Sequence, residues 1–203
     1  MYIKHKLGKS TFKGLIFYAT KTGNTKDIVQ HVAEVLECEI SDVNKIAYPD
    51  ISNIDVIGFA SGVYNGEIDP RMLEVIERME FREDQYVFLV LTHAKSLNDR
   101  YVAKLEKIFK DKRVYFLGTT DALGADRQGN AGFLGHGAQK HPNENDYYRV
   151  ENFAVDVIYI VNRLLGNTER EDEITATSER KTKLPIDLGG AMPKFMKSMR
   201  IDE

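Results

Sequence analysis

A single cysteine, Cys38, is all that the 203 residues contain, which excludes an internal disulfide framework and any cysteine-based metal cluster. Its place in a predicted strand fits a buried, inert thiol. Long apolar runs are missing as well. None approaches the roughly 20 residues needed to cross a bilayer. The opening Met1–Lys13 alternates cations with single apolar residues and lacks the apolar core of a secretory signal. The expected protein is therefore soluble and cytoplasmic, with no membrane span. Nor does one sign of charge dominate. The formal net charge is −3, which argues against a general nucleic-acid binder. His136 and His141 have no companion ligands at metal spacing, so no metal site is expected.

What is present supports a core: 42% of the residues are hydrophobic, enough for one domain with an appendage. Strand-like and helix-like patterns alternate along the chain. Lys13–Ala19 reads as a buried strand, followed by a helix from Asn24 to Glu37 with Ile28, Val32, Val35 and Leu36 on one face. Glu39–Val43 and Asp55–Ala60 are further strands. Asp69-Pro70 then opens a helix carrying Leu73, Val75, Ile76 and Met79. Tyr86–Leu91 is apolar throughout, as a strand covered on both faces requires. Tyr101, Leu105, Ile108 and Phe109 mark the next helix. Val114–Leu117 is the fifth strand, and Asn145–Leu165 the last helix, with Phe153, Val157, Ile160, Val161 and Leu164 spaced for burial. Five strands with intervening helices predict an α/β fold, a doubly wound parallel sheet with a C-terminal tail. Ligands of such sheets sit at the carboxyl ends of the strands.

The loop that leaves the first strand is the most informative. Thr20, Thr22 and Thr25 alternate with Lys21 and the Gly23-Asn24 pair, and a helix follows at once. Gly23 lets the backbone approach an anion and adopt positive φ. Hydroxyls and amides can then donate to a phosphate at the positive helix end, with Asn24 or Thr25 also capping the helix. Two other phosphate signatures are absent. There is no Gly-Lys-Ser/Thr ending, which excludes the nucleoside-triphosphate loop, and no Gly-x-Gly-x-x-Gly follows the strand.

Thr20-x-Thr22-Gly23-x-Thr25 directly after a first strand resembles the phosphate-binding signature of the flavodoxins. The resemblance extends through Ser61-Gly62-Val63-Tyr64 and through His141-Pro142-Asn143-Glu144-Asn145-Asp146 before the last helix. It covers roughly Lys13 to Leu165, so that residues 1–165 form the expected domain and 166–203 a charged linker and apolar tail. It implies strand order 2-1-3-4-5, non-covalent FMN, and one-electron transfer between redox partner proteins, a reductase and an acceptor enzyme.

The same resemblance assigns the ring-holding loops. Tyr64 is the implied stacking residue, and the peptide in Asn65-Gly66 is the one implied to reorient; both positions tolerate positive φ. Thr92-His93-Ala94-Lys95 follows the fourth strand. Flavodoxins usually place a second aromatic and acidic residues there, and this chain departs from that pattern. A cation at Lys95 near the ring's pyrimidine edge would favour the anionic reduced flavin by ~1–4 kcal/mol at a half-exposed site. Histidine is the side chain suited to proton exchange near neutral pH, which makes His93 a candidate proton donor in two-electron chemistry. With the long glycine-rich loop Thr119–Pro142, a lid or docking segment, these departures keep a second reading open, an FMN-dependent NAD(P)H reductase of quinones or another small acceptor. The patch holding Met192, Phe195, Met196 and Met199 is suited to packing on its own domain, on a second copy as a homodimer, or on a redox partner.

Overall fold

Elements alternate along the chain because apolar residues recur at period two in some segments and on one helical face in others. The fold is seen in a computed structural model that describes residues 10–45, 50–94, 99–125 and 141–166. Its strands are β1 (Gly14–Ala19), β2 (Glu39–Asp42), β3 (Val56–Tyr64), β4 (Glu67–Ile68), β5 (Tyr86–His93) and β6 (Tyr115–Leu123). Its helices are α1 (Asn24–Leu36), α2 (Pro70–Arg78), α3 (Asp99–Asp111) and α4 (Glu144–Leu164).

The parallel sheet runs β2-β1-β3-β5-β6, with β4 paired antiparallel to β3. That is the expected 2-1-3-4-5 order with one short hairpin strand added. The two faces are filled by alternate residues of the same strands. Ile16 and Tyr18 of β1, with Tyr86, Phe88 and Val90 of β5, join Ile28, Val32, Ala154 and Val157 of α1 and α4. Phe17 and Ala19, with Val87, Leu89 and Leu91, join Met72, Ile76, Leu105 and Phe109 of α2 and α3. All eight residues of β5 are buried. A side chain on either face of this strand therefore meets a helix.

Four sequence expectations need correction. β3 runs to Tyr64 and β6 to Leu123, past the predicted ends at Ala60 and Leu117. β6 keeps pairing with β5 to its end, Leu123 opposite His93, whereas β3 pairs with β5 as far as Gly62, opposite Thr92, and then with β4 through Val63 and Tyr64. Ladder hydrogen bonds extend them through glycine and polar residues that carry no strand pattern. Leu164, assigned to the core, is 45% exposed. Cys38 lies just before β2 and is only partly buried; burial, with Glu39 adding to it, still pushes its thiol up to about 12.

The connections are fixed by polar ties. The Asp69 carboxylate caps α2 by accepting the Arg71 N–H at 3.0 Å. Lys112 Nζ donates to the carbonyls of Glu77 (2.7 Å) and Met79 (2.9 Å) at the other end of α2. Gln85 is fully buried. Its Nε2 donates to Ile51 O (2.7 Å) and Ile54 O (2.8 Å), while its Oε1 accepts the Arg82 N–H at 2.8 Å. Gln85→Leu keeps the bulk and strands these backbone groups, so urea unfolding is expected to show a loss of about 2–3 kcal/mol. A loss below about 0.5 kcal/mol would mean that water replaces the amide.

Candidate functional site

The carboxyl ends of β1, β3, β5 and β6 meet at one edge of the sheet. A cleft opens there, lined by Thr22, Asn24, Gly62, Val63, Tyr64, Thr92, His93, Ala94, Gly124 and Ala125. Three loops chosen from sequence thus converge on a single cavity. The last two residues come from the start of the glycine-rich segment, and Gly124 was the one sign of them in the sequence.

The turn after β1 is held by its own residues. Gly23, at φ 91°, is the N-cap of α1, and its N–H donates to the Thr20 hydroxyl at 2.9 Å. Asn24 and Thr25 are buried in the first turn of the helix and do not cap it, which corrects the sequence expectation. With no side chain capping α1, the N–H groups of its first turn lack that partner at the positive end of the helix. Thr25 Oγ1 lies 2.8 Å from Thr92 Oγ1, tying the turn to the end of β5. Asn24 Nδ2 donates to Ala125 O at 2.6 Å, tying it to the segment after β6. The Lys21 N–H donates to the Tyr64 hydroxyl at 3.0 Å, and Lys21 Nζ stands 4.4 Å from the centre of that ring. Burial pushes the Tyr64 hydroxyl up, against the opposing hydrogen bond from Lys21.

The hairpin beneath Tyr64 is built by Asn65 (φ 55°) and Gly66 (φ 86°). Positive φ at both central residues matches the right-handed twist of the flanking strands. Ser61 faces elsewhere: its hydroxyl donates to Gly62 O and accepts the Asp69 N–H, joining the hairpin to α2. Thr20, Lys21, Gly23, Thr25, Ser61, Asn65 and Gly66 therefore frame the cleft without lining it. Lys95, residues 126–140 of the glycine-rich segment and the tail from residue 167 lie outside the described residues.

His93 is 8% exposed at the end of β5. Its Nε2 lies 2.9 Å from Asp121 Oδ2 on β6, and Arg149 Nη1 of α4 lies 3.2 Å from the same oxygen. The hydrogen bond from His93, helped by the Arg149 guanidinium, holds the Asp121 carboxyl below the usual carboxylate range against the effect of burial. Asp121 carried no signal in the sequence, because its partner lies 28 residues away. Two buried polar atoms of the cleft's own residues, Asn24 Oδ1 and His93 Nδ1, have no hydrogen-bond partner. Buried polar atoms without partners are uncommon in folded proteins. No group of three or more metal-ligating side chains exists among the described residues, and none of their helices is long and apolar enough to cross a membrane.

Asp146 fixes the far wall. Its carboxylate accepts the N–H groups of Asn143 (2.9 Å) and Leu123 (3.2 Å) and pairs with His141 Nδ1 at 2.5 Å. With Asn143 as cap it forms a reciprocal box at the start of α4. The segment from His141 to Asp146 thus anchors the end of β6, from which Gly124 and Ala125 enter the cleft.

Known proteins resemble this chain in sequence or in fold. An uncharacterized protein of Methanocaldococcus jannaschii, MJ0298, is 25% identical over 147 residues, spanning 72% of this chain and 98% of its own length. The flavodoxin of Streptococcus pneumoniae TIGR4 superposes with a TM-score of 0.53 at 18% identity, covering 70% of this chain and 95% of its own. Rubredoxin oxygen:oxidoreductase of Desulfovibrio gigas gives a TM-score of 0.59 at 14% identity, over 77% of this chain and 38% of that one. At such identities the structures attest the fold alone. The family model described as a flavodoxin domain matches residues 15–118, just over half of the sequence, and this chain belongs to that family.

Proposed function

We propose that this chain binds FMN without covalent linkage in the cleft and passes electrons between a reductase and an acceptor enzyme. The observation that carries the reading is the convergence of three loops on the uncapped N-terminus of α1. The same cleft holds buried, unpartnered acceptor atoms on Asn24 and His93. A phosphate suits the helix end, and ribityl hydroxyls or a ring N–H suit the two acceptors. The residues present therefore fit the group. Tyr64 also lines the cleft and offers an aromatic ring for stacking. FMN supplies reversible storage of electrons; this chain's residues bind it, orient it and exclude water.

A second reading, an FMN-dependent reductase of quinones or another small acceptor with reduced nicotinamide as donor, is favoured by one observation. His93 is held by Asp121 as a proton-transfer residue would be. The test uses purified protein titrated with FMN. Fluorescence quenching is expected to saturate at one FMN per chain, and Thr22→Val with Thr25→Val to weaken binding at least tenfold. The Thr25 change breaks the buried tie to Thr92, worth about 1–3 kcal/mol when the partner is left unpaired. Equal affinity in both proteins would remove the threonine turn from the site. Turnover of reduced nicotinamide with quinone would select the second reading over the first.

A further inference from the structure

We propose that His93 handles protons in this cleft, taking one up at Nδ1 when negative charge is added to the bound ring, with Asp121 as its positioning partner. The inference rests on the FMN reading above.

The geometry fixes the chemistry. Asp121 is ionised and has no proton to give, so the hydrogen on the 2.9 Å contact belongs to His93 Nε2. In the neutral ring that leaves Nδ1 as a bare lone pair. Nδ1 is buried and has no partner among the described residues, although a histidine kept only for packing would be expected to satisfy both nitrogens. An electron added beside the buried His93 introduces a charge that is costly to leave uncompensated. A proton taken from solvent onto Nδ1 turns the imidazole into a cation beside Asp121, and the charge in the cleft is balanced. One electron arrives from a reduced one-electron donor, the reductase, which is oxidised in the same step. One proton arrives from water, and no covalent bond to the cofactor forms.

The surroundings favour this arrangement. From β6 comes Asp121, which the protonated ring would face as an ion pair. From α4 come Arg149, 53% exposed and bonded to Asp121, and Asp146, bonded to the N–H of Leu123 directly opposite His93. From β3 comes Tyr64, whose hydroxyl is engaged by Lys21 of the turn. Arg149 holds the carboxylate in place and links it to solvent, the orienting role that a third group plays in a histidine–carboxylate pair.

Two measurements on the FMN-loaded chain test it: nitrogen-15 NMR of histidine, and anaerobic potentiometry from about pH 5 to 8, where histidines change charge. The neutral His93 ring is expected as the Nε2–H tautomer. The equilibrium constant for one-electron reduction is expected to fall with rising pH by up to an extra tenfold per unit relative to His93→Gln, about 59 mV per unit. Asp121→Asn is expected to lose the tautomer signature and shrink the extra slope. Coincident slopes in wild type and His93→Gln overturn the inference, as does an Nδ1–H tautomer in wild type. If FMN binds and the slopes coincide, only the proton-handling role falls. If the wild type takes up no FMN, the role falls together with the reading beneath it.

Discussion

Asp146→Ala is expected to destabilise the protein by about 3–5 kcal/mol, the range for removing one partner from a buried charged network. The side chain is 2% exposed and accepts two backbone N–H groups besides pairing with His141. Alanine leaves those N–H groups in a cavity without an acceptor and dismantles the box that starts α4. Asp146→Asn keeps the shape and one acceptor oxygen, so its loss should be smaller.

Acid should expose the same network. Burial pushes the Asp146 carboxyl up, but the hydrogen bonds from His141, Asn143 and Leu123 outweigh it and leave the group below the ordinary range. Asp121 is lowered too, chiefly by His93. A carboxyl lowered on folding contributes stability above its unfolded value and loses it as pH falls through the folded one. Urea midpoints should therefore drop on acidification below the ordinary carboxylate range, with a shallower dependence in Asp146→Asn. An alanine variant within about 1 kcal/mol of wild type would show that the network is relaxed by water.

Gly124→Val is expected to weaken FMN binding about 100-fold while costing only about 1 kcal/mol of stability. A Cβ at this position would lie 2.8 Å from Asn24 Nδ2 and 3.3 Å from Asn24 Cβ. The nearest obstacle is the end of the Asn24 side chain, while its Cβ must give by only a few tenths of an ångström. Asn24 must leave Ala125 O and swing into the cleft, carrying its unpartnered Oδ1 with it. The fold keeps its core and loses the shape of the site. Gly124→Ala should fall between valine and wild type, because it meets the amide without a branched carbon. Valine binding FMN as tightly as wild type would place the cofactor away from this wall.

Much of the site was legible because its parts are local. The threonine turn, Tyr64 and the Asn-Gly hairpin each declare themselves within six residues, by turn chemistry or by their place after an apolar strand. Ser61 shows the limit. Its hydroxyl stood beside the others in sequence, yet it is consumed by the link to α2. The polar ends of β3 and β6 were hidden for another reason. Gly62 and Asp121 belong to strands only because β5 lies alongside to complete their hydrogen bonds.

Periodicity and turn residues alone set the alternation of strands and helices, and with it the edge of the sheet where a phosphate-bearing ligand would sit. The partnerships that give the cleft its chemistry were decided by folding. Asn24 meets Ala125 across 101 residues, His93 meets Asp121 across 28, and Asp146 meets Leu123 across 23. No local pattern records such pairs, because a hydrogen bond depends on where two groups stand in space, and only sheet register and helix packing bring these together.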